Sequence, residues 1–203
     1  MNKNIIVSVI FFFSSLSLTE VINAPFGFEW GQTQFILKAK GITLENCKVS
    51  DLSIEYCKAF NSPKKFSKAD YFFLYFPPGE GLQKVMMLGK DIEGDPYGTD
   101  GKKQYFSLKE SLIKKYDKPS NTFEWIGSEL YKDADEFYEC LNYGSCGNQS
   151  SFWLEDISGT ISLELKGVSR GSGYIKLTYE SKDWSNILDR LENEKNLIDE
   201  DSL

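Results

Sequence analysis

Histidine is absent from the 203 residues of this chain, and its absence removes a large group of possible activities. A histidine-assisted serine or cysteine nucleophile needs an imidazole as its general base. A zinc site would lose a common ligand, and no Cys-x-x-Cys spacing is present. We therefore expect no catalytic residue of this kind, no metal centre and no cofactor.

The chain also has no excess of basic residues over acidic ones. Lys and Arg together number 23 against 30 Asp and Glu, which gives a formal net charge of −7. Nucleic acids and anionic membranes both reward clustered positive charge, so this balance argues against either as a partner. It suits a protein partner of basic charge.

Long apolar runs are confined to the amino terminus. Residues 5–18 are apolar apart from scattered serines and follow a lysine, which is typical of a signal peptide and too short for a membrane span of about 20 residues. We expect a signal peptide over residues 1–24, with a cut after Ser17 as the alternative. One domain over 25–198 and an acidic tail over 199–203 then remain. The expected location is periplasmic or secreted.

Four cysteines fit an oxidising compartment, where an even number points to disulfides. Three pairings are possible. Proximity along the chain favours Cys47 with Cys57 and Cys140 with Cys146, each closing a short loop.

The order of patterns predicts an α+β fold with an antiparallel sheet and about three helices. The strongest strand pattern is an aromatic hairpin, 71–76 and 82–88, around a Pro/Gly turn. Helices are expected over 33–40 (with Phe35, Ile36 and Ala39 on one face), over 105–116 and from 183 onward. Further strands are expected between 42 and 59 and over 122–126, 152–156, 160–166 and 173–179, while 129–143 fits a helix less clearly. The two halves are compatible with a duplicated helix-plus-meander unit.

Three short stretches carry a resemblance. They are Pro-Phe-Gly-Phe-Glu-Trp-Gly-Gln-Thr at 25–33, Gly-Leu-Gln-Lys-Val at 81–85 and Leu-Ile-Lys-Lys-Tyr-Asp-Lys-Pro at 112–119. Together they resemble a loose set of small exported bacterial proteins, which carry glycine where this chain has Asp117. The resemblance implies export and an α+β domain, and it implies no activity.

Two acidic clusters are candidate binding surfaces. The first contains Asp91, Glu93, Asp95 and Asp100, and the second contains Asp133, Asp135 and Glu136. The first departs from a helix–loop–helix calcium loop, because Pro96 replaces the turning glycine and Lys102 replaces the bidentate glutamate. We expect charged protein-contact surfaces, not metal sites.

The aromatic strand offers a third candidate surface, because alternation sends Tyr71, Phe73 and Tyr75 to one face. Our leading hypothesis is a non-catalytic protein-binding protein, an inhibitor or immunity protein for an extracytoplasmic enzyme. The alternative is a periplasmic module that binds a sugar or cell-wall fragment through these rings. A third hypothesis is a hydrolase with paired carboxylates, for which Glu29 between Phe28 and Trp30 is a candidate with a raised pKa.

Overall fold

A computed structural model describes residues 22–127, 130–155 and 158–201 of the chain. The expected signal peptide lies outside these residues except for its last three positions. Three further parts of the expected elements lie outside the described residues. They are Glu129 in the less clearly helical segment, Asp156 at the end of an expected strand, and residues 202–203 of the expected tail.

Within these ranges, eight strands form one continuous antiparallel sheet, and four α-helices accompany it, which confirms the α+β prediction. The helices are α1 (Gln34–Ala39), α2 (Thr99–Tyr116), α3 (Phe137–Asn142) and α4 (Trp184–Asp201), with a 3₁₀ turn at Ala134–Glu136. The strands are β1 (Leu44–Val49), β2 (Glu55–Ala59), β3 (Ala69–Phe76), β4 (Lys84–Gly89), β5 (Asn121–Ile126), β6 (Gly147–Glu155), β7 (Gly159–Ser169) and β8 (Ser172–Glu180).

The strand order across the sheet is β1-β2-β3-β4-β8-β7-β6-β5, which reads as two meanders joined back to back. Each meander follows a helix, α1 in the first half and α2 in the second. The halves meet where β4 pairs antiparallel with β8, with Met86 opposite Thr178 near the middle of the joint. The second half thus repeats the order of the first, a helix followed by a four-stranded meander.

Helices α1, α2 and α3 pack against one face of this sheet and share a single hydrophobic core with it. From the strands, the core takes the alternate residues Phe72, Leu74 and Phe76 of β3 and their counterparts on β4, β7 and β8. From α2 it takes Tyr105, Leu108 and Leu112, whose spacing places them on one side of the helix.

Helix α1 does not bury the face on which the sequence pattern places Phe35, Ile36 and Ala39. Thr33 caps it as predicted, accepting a hydrogen bond from the Ile36 amide. Leu37 is the fully buried residue, whereas Phe35 is 81% exposed and Ile36 is 41% exposed. In a helix of six residues, the packing of the flanking segments decides which side meets the core.

Both disulfides form as expected from proximity, Cys47 with Cys57 and Cys140 with Cys146. The first joins β1 to β2, and the second joins α3 to the residue that precedes β6. The first bond therefore crosslinks the first two strands of its meander, and the second lies in the connection between the first two strands of the other.

Helix α4 lies apart from the other three. Trp184, Ile187 and Leu191 pack with Ile54 in a second, smaller cluster that also touches Tyr75. Since Tyr75 points away from the main core, α4 covers one end of the opposite sheet face. It also continues through residues 199–201, so this part of the expected acidic tail is helical.

The first described residue is an integral part of the domain. Ile22 is 2% exposed and belongs to the main core. Its amide donates to the Ser158 carbonyl over 3.1 Å, and its carbonyl accepts from Trp30 Nε1 at 2.9 Å. A cut after Ala24 would remove the buried Ile22 side chain and both of its backbone hydrogen bonds.

We therefore predict that cleavage of the expected signal peptide falls upstream of Ile22, as the alternative cut after Ser17 would give. Amino-terminal sequencing and intact mass of the processed protein, after expression of the full chain, would measure this directly. A mature chain that begins at Pro25 and unfolds at the same temperature as one retaining Ile22 would contradict the prediction.

A strained residue ends α2. Asp117 has φ 62° and ψ −164°, a region of backbone conformation populated almost only by glycine. Its carbonyl accepts a hydrogen bond from Trp153 Nε1 at 2.9 Å, which helps to hold this conformation in place.

We predict that Asp117→Gly raises the free energy of unfolding by about 1 kcal/mol, because glycine adopts this conformation without strain. The melting temperature should rise by roughly 2–4 °C for a chain of this size. Asp117→Ala is the matched control, since it removes the carboxylate and keeps the Cβ. An equal gain in both variants would assign the effect to the side chain instead of the backbone.

Candidate functional site: the open face of the sheet

The sheet face opposite α1, α2 and α3, here called the open face, is covered only at one end by α4 among the described residues. On β3 it displays Tyr71, Phe73 and Tyr75, each half-buried, while the residues between them are buried. The predicted alternation is therefore observed, and these three rings lie on the side without the main core.

Two further rings join them to form the first aromatic cluster. Tyr56 of β2 stacks on Tyr75 with ring centroids 5.5 Å apart, and it meets Phe73 edge-on at 6.1 Å. Phe60 lies 6.3 Å from Tyr71, and Tyr71 lies 5.5 Å from Phe73. Contacts of this kind hold the rings in fixed orientations, so the cluster presents a defined surface.

Two tyrosines of this cluster, Tyr71 and Tyr75, stay protonated at neutral pH. Burial raises the pKa of Tyr75, with smaller contributions from Tyr56 and Glu180. Burial also raises the pKa of Tyr71, helped by the nearby Tyr174 and by the charges of Asp70 and Asp91. Both hydroxyls can therefore donate hydrogen bonds to a ligand or partner.

A groove of about 540 Å³ runs beside the first aromatic cluster. Asn46, Cys47 and Lys48 of β1 line one side, and Tyr56, Lys58 and Phe73 line the rest. It is partly open to solvent and is not an enclosed cavity.

Ion pairs occupy the centre of the open face. Lys84 contacts Glu180 at 2.7 Å, and Lys176 contacts Glu164 at 2.8 Å. All four side chains lie on the open face, because residues directly opposite each other on paired strands share a face. Lys84 lies opposite both Tyr75 and Glu180. Lys176, four residues before Glu180 on β8, lies opposite Glu164. The charges at the centre thus neutralise one another, beside the apolar side chains of Met86 and Leu88.

A second aromatic cluster lies on β5 and β6, toward the other edge. Phe123 and Phe152 meet edge-on at 6.0 Å, and Trp125 follows Phe123 on the same face. Phe123 is 44% exposed and Trp125 is 45% exposed. Sequence reasoning identified this strand and did not single out its rings, although their spacing of two was the available signal.

Asp95, a member of the first acidic cluster, has a structural role. Asp95 is 6% exposed, and its carboxylate accepts hydrogen bonds from the amides of Thr99, Asp100 and Gly101 at 2.8–3.0 Å. It also accepts one from the Tyr138 hydroxyl at 2.8 Å. Burial, together with this carboxylate, raises the pKa of Tyr138. Asp95 thereby fixes the start of α2 to α3, so its oxygens are occupied within the fold.

The remaining members of that cluster, Asp91, Glu93 and Asp100, are exposed. Glu93 and Asp100 border a depression of about 410 Å³ whose other charged residues are Lys68 and Lys103. The two signs balance there, so this site does not present a purely acidic surface.

The second acidic cluster is largely engaged in local contacts. Asp133 and Glu136 form a capping box around the 3₁₀ turn, each accepting from the other's backbone amide. Asp135 forms an ion pair with Arg170 in the β7–β8 turn. Because these groups stabilise the end of the sheet, they are less free to meet a partner than their charge suggests.

The paired-carboxylate hypothesis finds no support at Glu29. This side chain is exposed and bonded to Lys40 at 2.8 Å, and the hydrogen bond and charge of Lys40 lower its pKa. The raised pKa expected from its apolar neighbours is wrong, because Phe28 turns into the core and leaves the carboxylate in solvent.

Within the described ranges, the only metal-like grouping of side chains is Cys47, Glu55 and Cys57. Both sulfurs are joined in a disulfide, so they do not offer thiolates to a metal ion. No described helix has the length and apolar character needed to cross a membrane.

Comparison with known proteins gave no family model, no curated protein and no solved structure that matches this chain.

The role of Asp95 can be tested by substitution. We predict that Asp95→Ala lowers the free energy of unfolding by about 2–4 kcal/mol, because it removes a helix cap and leaves buried donors unpaired. Urea unfolding followed by tryptophan fluorescence would measure the loss. Asp91→Ala, an exposed change in the same loop, should stay within about 0.5 kcal/mol of the parent. Equal stability of the two variants would refute a structural role.

Proposed function

We propose that this chain is an exported, non-catalytic protein that binds a protein partner across the open face of its sheet. The observation that carries the proposal is the placement of α1, α2 and α3 on the same face. The other face, apart from the end covered by α4, carries half-exposed aromatic side chains toward both edges of the sheet.

The dimensions of the open face suit a protein better than a small molecule. The middle of the first cluster, on β2 and β3, lies five strand spacings from the middle of the second, on β6 and β5. This corresponds to roughly 24 Å at about 4.8 Å per spacing. A single sugar or metabolite reaches only one cluster. A protein surface of ordinary interface size, about 800 Å² per partner, reaches both.

The residue types of the open face also suit a protein interface. Tyrosine, tryptophan and phenylalanine are enriched at interface centres, where they bury much area with little loss of side-chain entropy. Ion pairs that are already satisfied within the face, such as Lys84 with Glu180, supply a polar zone without unpaired charge. Tyr56 and Phe73 are the expected anchors, because they combine half-burial with a groove on one side.

Inhibition of an extracytoplasmic enzyme is the specific form that we propose. A continuous sheet with a disulfide in each half holds its surface in one conformation before binding, which reduces the entropy lost on association. The chain's net charge of −7 would speed the approach of a cationic enzyme at long range.

A second candidate function is the binding of a sugar or cell-wall fragment in the groove beside the first aromatic cluster. Rings next to the polar side chains of Asn46 and Lys48 favour it. In that case the second aromatic cluster would have no part in binding. Titration with soluble muropeptides, measured calorimetrically, distinguishes the two functions.

We predict that a protein partner captured from an extract of exported proteins binds Tyr56→Ala/Phe73→Ala at least about 30-fold more weakly than the parent. This loss corresponds to about 2 kcal/mol for an interface anchor. Affinity capture with mass spectrometry identifies the partner, and surface plasmon resonance measures the dissociation constant.

Phe35→Ala is the matched control, because Phe35 is an aromatic residue that is 81% exposed on α1, away from the open face. It should change the dissociation constant by less than about twofold. Unfolding midpoints of all variants establish that each is folded. Equal binding by the open-face variant and the control would refute the proposed interface.

A further inference from the structure

The groove beside the first aromatic cluster is locally cationic in an acidic protein. Lys48 and Lys58 are its charged lining residues, and no carboxylate lines it among the residues that the structure describes. The chain as a whole carries −7. The groove therefore has the opposite sign to the molecule's net charge.

Neither lysine is matched by a carboxylate oxygen within 4 Å in the described part of the chain. Glu45 pairs with Lys58 across the strands, yet the two form no ion pair. The Lys58 ammonium instead lies 3.6 Å from the Tyr71 ring centroid and 4.5 Å from that of Phe60. By contrast, the lysines at the centre of the same face both have carboxylate partners.

The backbone around the groove is fixed in shape. The register of β1 shifts between Glu45 and Lys48, and Asn46 within the shift has φ 47°. The disulfide between Cys47 and Cys57 ties this irregular segment to the regular strand β2. Lys48 is thereby held on the same side of the sheet as Tyr56, its partner across the strands.

We infer that this groove receives an aspartate or glutamate side chain from a protruding loop of the protein partner. The inference rests on the proposed function and adds the chemistry of the contact. The aliphatic part of the entering side chain packs on Tyr56 and Phe73, and its carboxylate accepts hydrogen bonds from Lys48 and Lys58. The aromatic rings leave the ammonium of Lys58 its donor hydrogens, so a carboxylate adds to the cation–π contact without replacing it.

Charge and shape together favour a protein loop as the occupant. Tyr56 and Phe73 of the open face line the groove, so a protein whose loop enters it can also cover the neighbouring ion-paired centre. A nucleic acid would meet the same lysines but would have to approach a chain with seven excess negative charges.

Disulfide-closed peptides displayed on phage provide a probe that can be applied before the partner is identified. We expect selection on the parent protein to enrich loops with a central aspartate or glutamate. Synthetic copies of those loops should bind Lys58→Met and Lys48→Gln about tenfold or more weakly, since each variant removes a charge-assisted hydrogen bond and keeps the side chain's length or polarity. Glu45→Gln should bind about two- to threefold more tightly, because it removes a negative charge across the strands from Lys58 that repels the entering carboxylate.

Enrichment of loops without a carboxylate, or equal binding by the parent and both lysine variants, would overturn the inference. Tighter binding of oligogalacturonic acid than of any selected loop, lost in Lys58→Met, would also overturn it and assign the groove to an acidic glycan. If the captured partner depends on Tyr56 and Phe73 but not on either lysine, the proposed function stands and this inference fails.

Discussion

The pairing of β4 with β8 is the contact on which both sides of this molecule depend. Five residue pairs, from Lys84 opposite Glu180 to Leu88 opposite Lys176, join two meanders into one sheet. On one side the joint aligns Val85 with Tyr179 and Met87 with Leu177, so that the helices of both halves share a core. On the other side it makes the open face continuous. Without it, each half would expose an unpaired strand edge and an incomplete core.

Local patterns in the sequence predicted much of this fold. The β3–β4 hairpin followed from aromatic and β-branched residues around a Pro/Gly turn, and both disulfides followed from proximity. What local pattern could not supply was the choice between faces. Residues 71–76 are all apolar, so alternation divides them into two sets without saying which set meets the helices. That choice is made by contacts with segments distant in sequence, such as those of Phe72 with Phe26 and Phe28.

The candidate site was predictable to a smaller extent, for the same reason. Tyr71, Phe73 and Tyr75 were identified because they share a strand, whereas Tyr56 and Lys58 reach them only through strand pairing. In the acidic loop, Asp91 and Asp95 are chemically identical. A contact with Tyr138, 43 residues away, makes Asp95 part of the core while Asp91 stays in solvent. A short stretch of sequence around Asp95 does not include Tyr138, so it cannot show this contact.

The strand order has a further consequence for the history of such a chain. One helix followed by four strands, ending at an open β4 edge, could pair with a copy of itself about a twofold axis and form the same eight-stranded sheet. Joining two such units in one polypeptide removes the requirement that both halves remain alike. The first half can then carry a lysine-lined groove and the second an additional helix, α3, between its first two strands. A symmetric pair of identical chains would have to carry both features twice or neither.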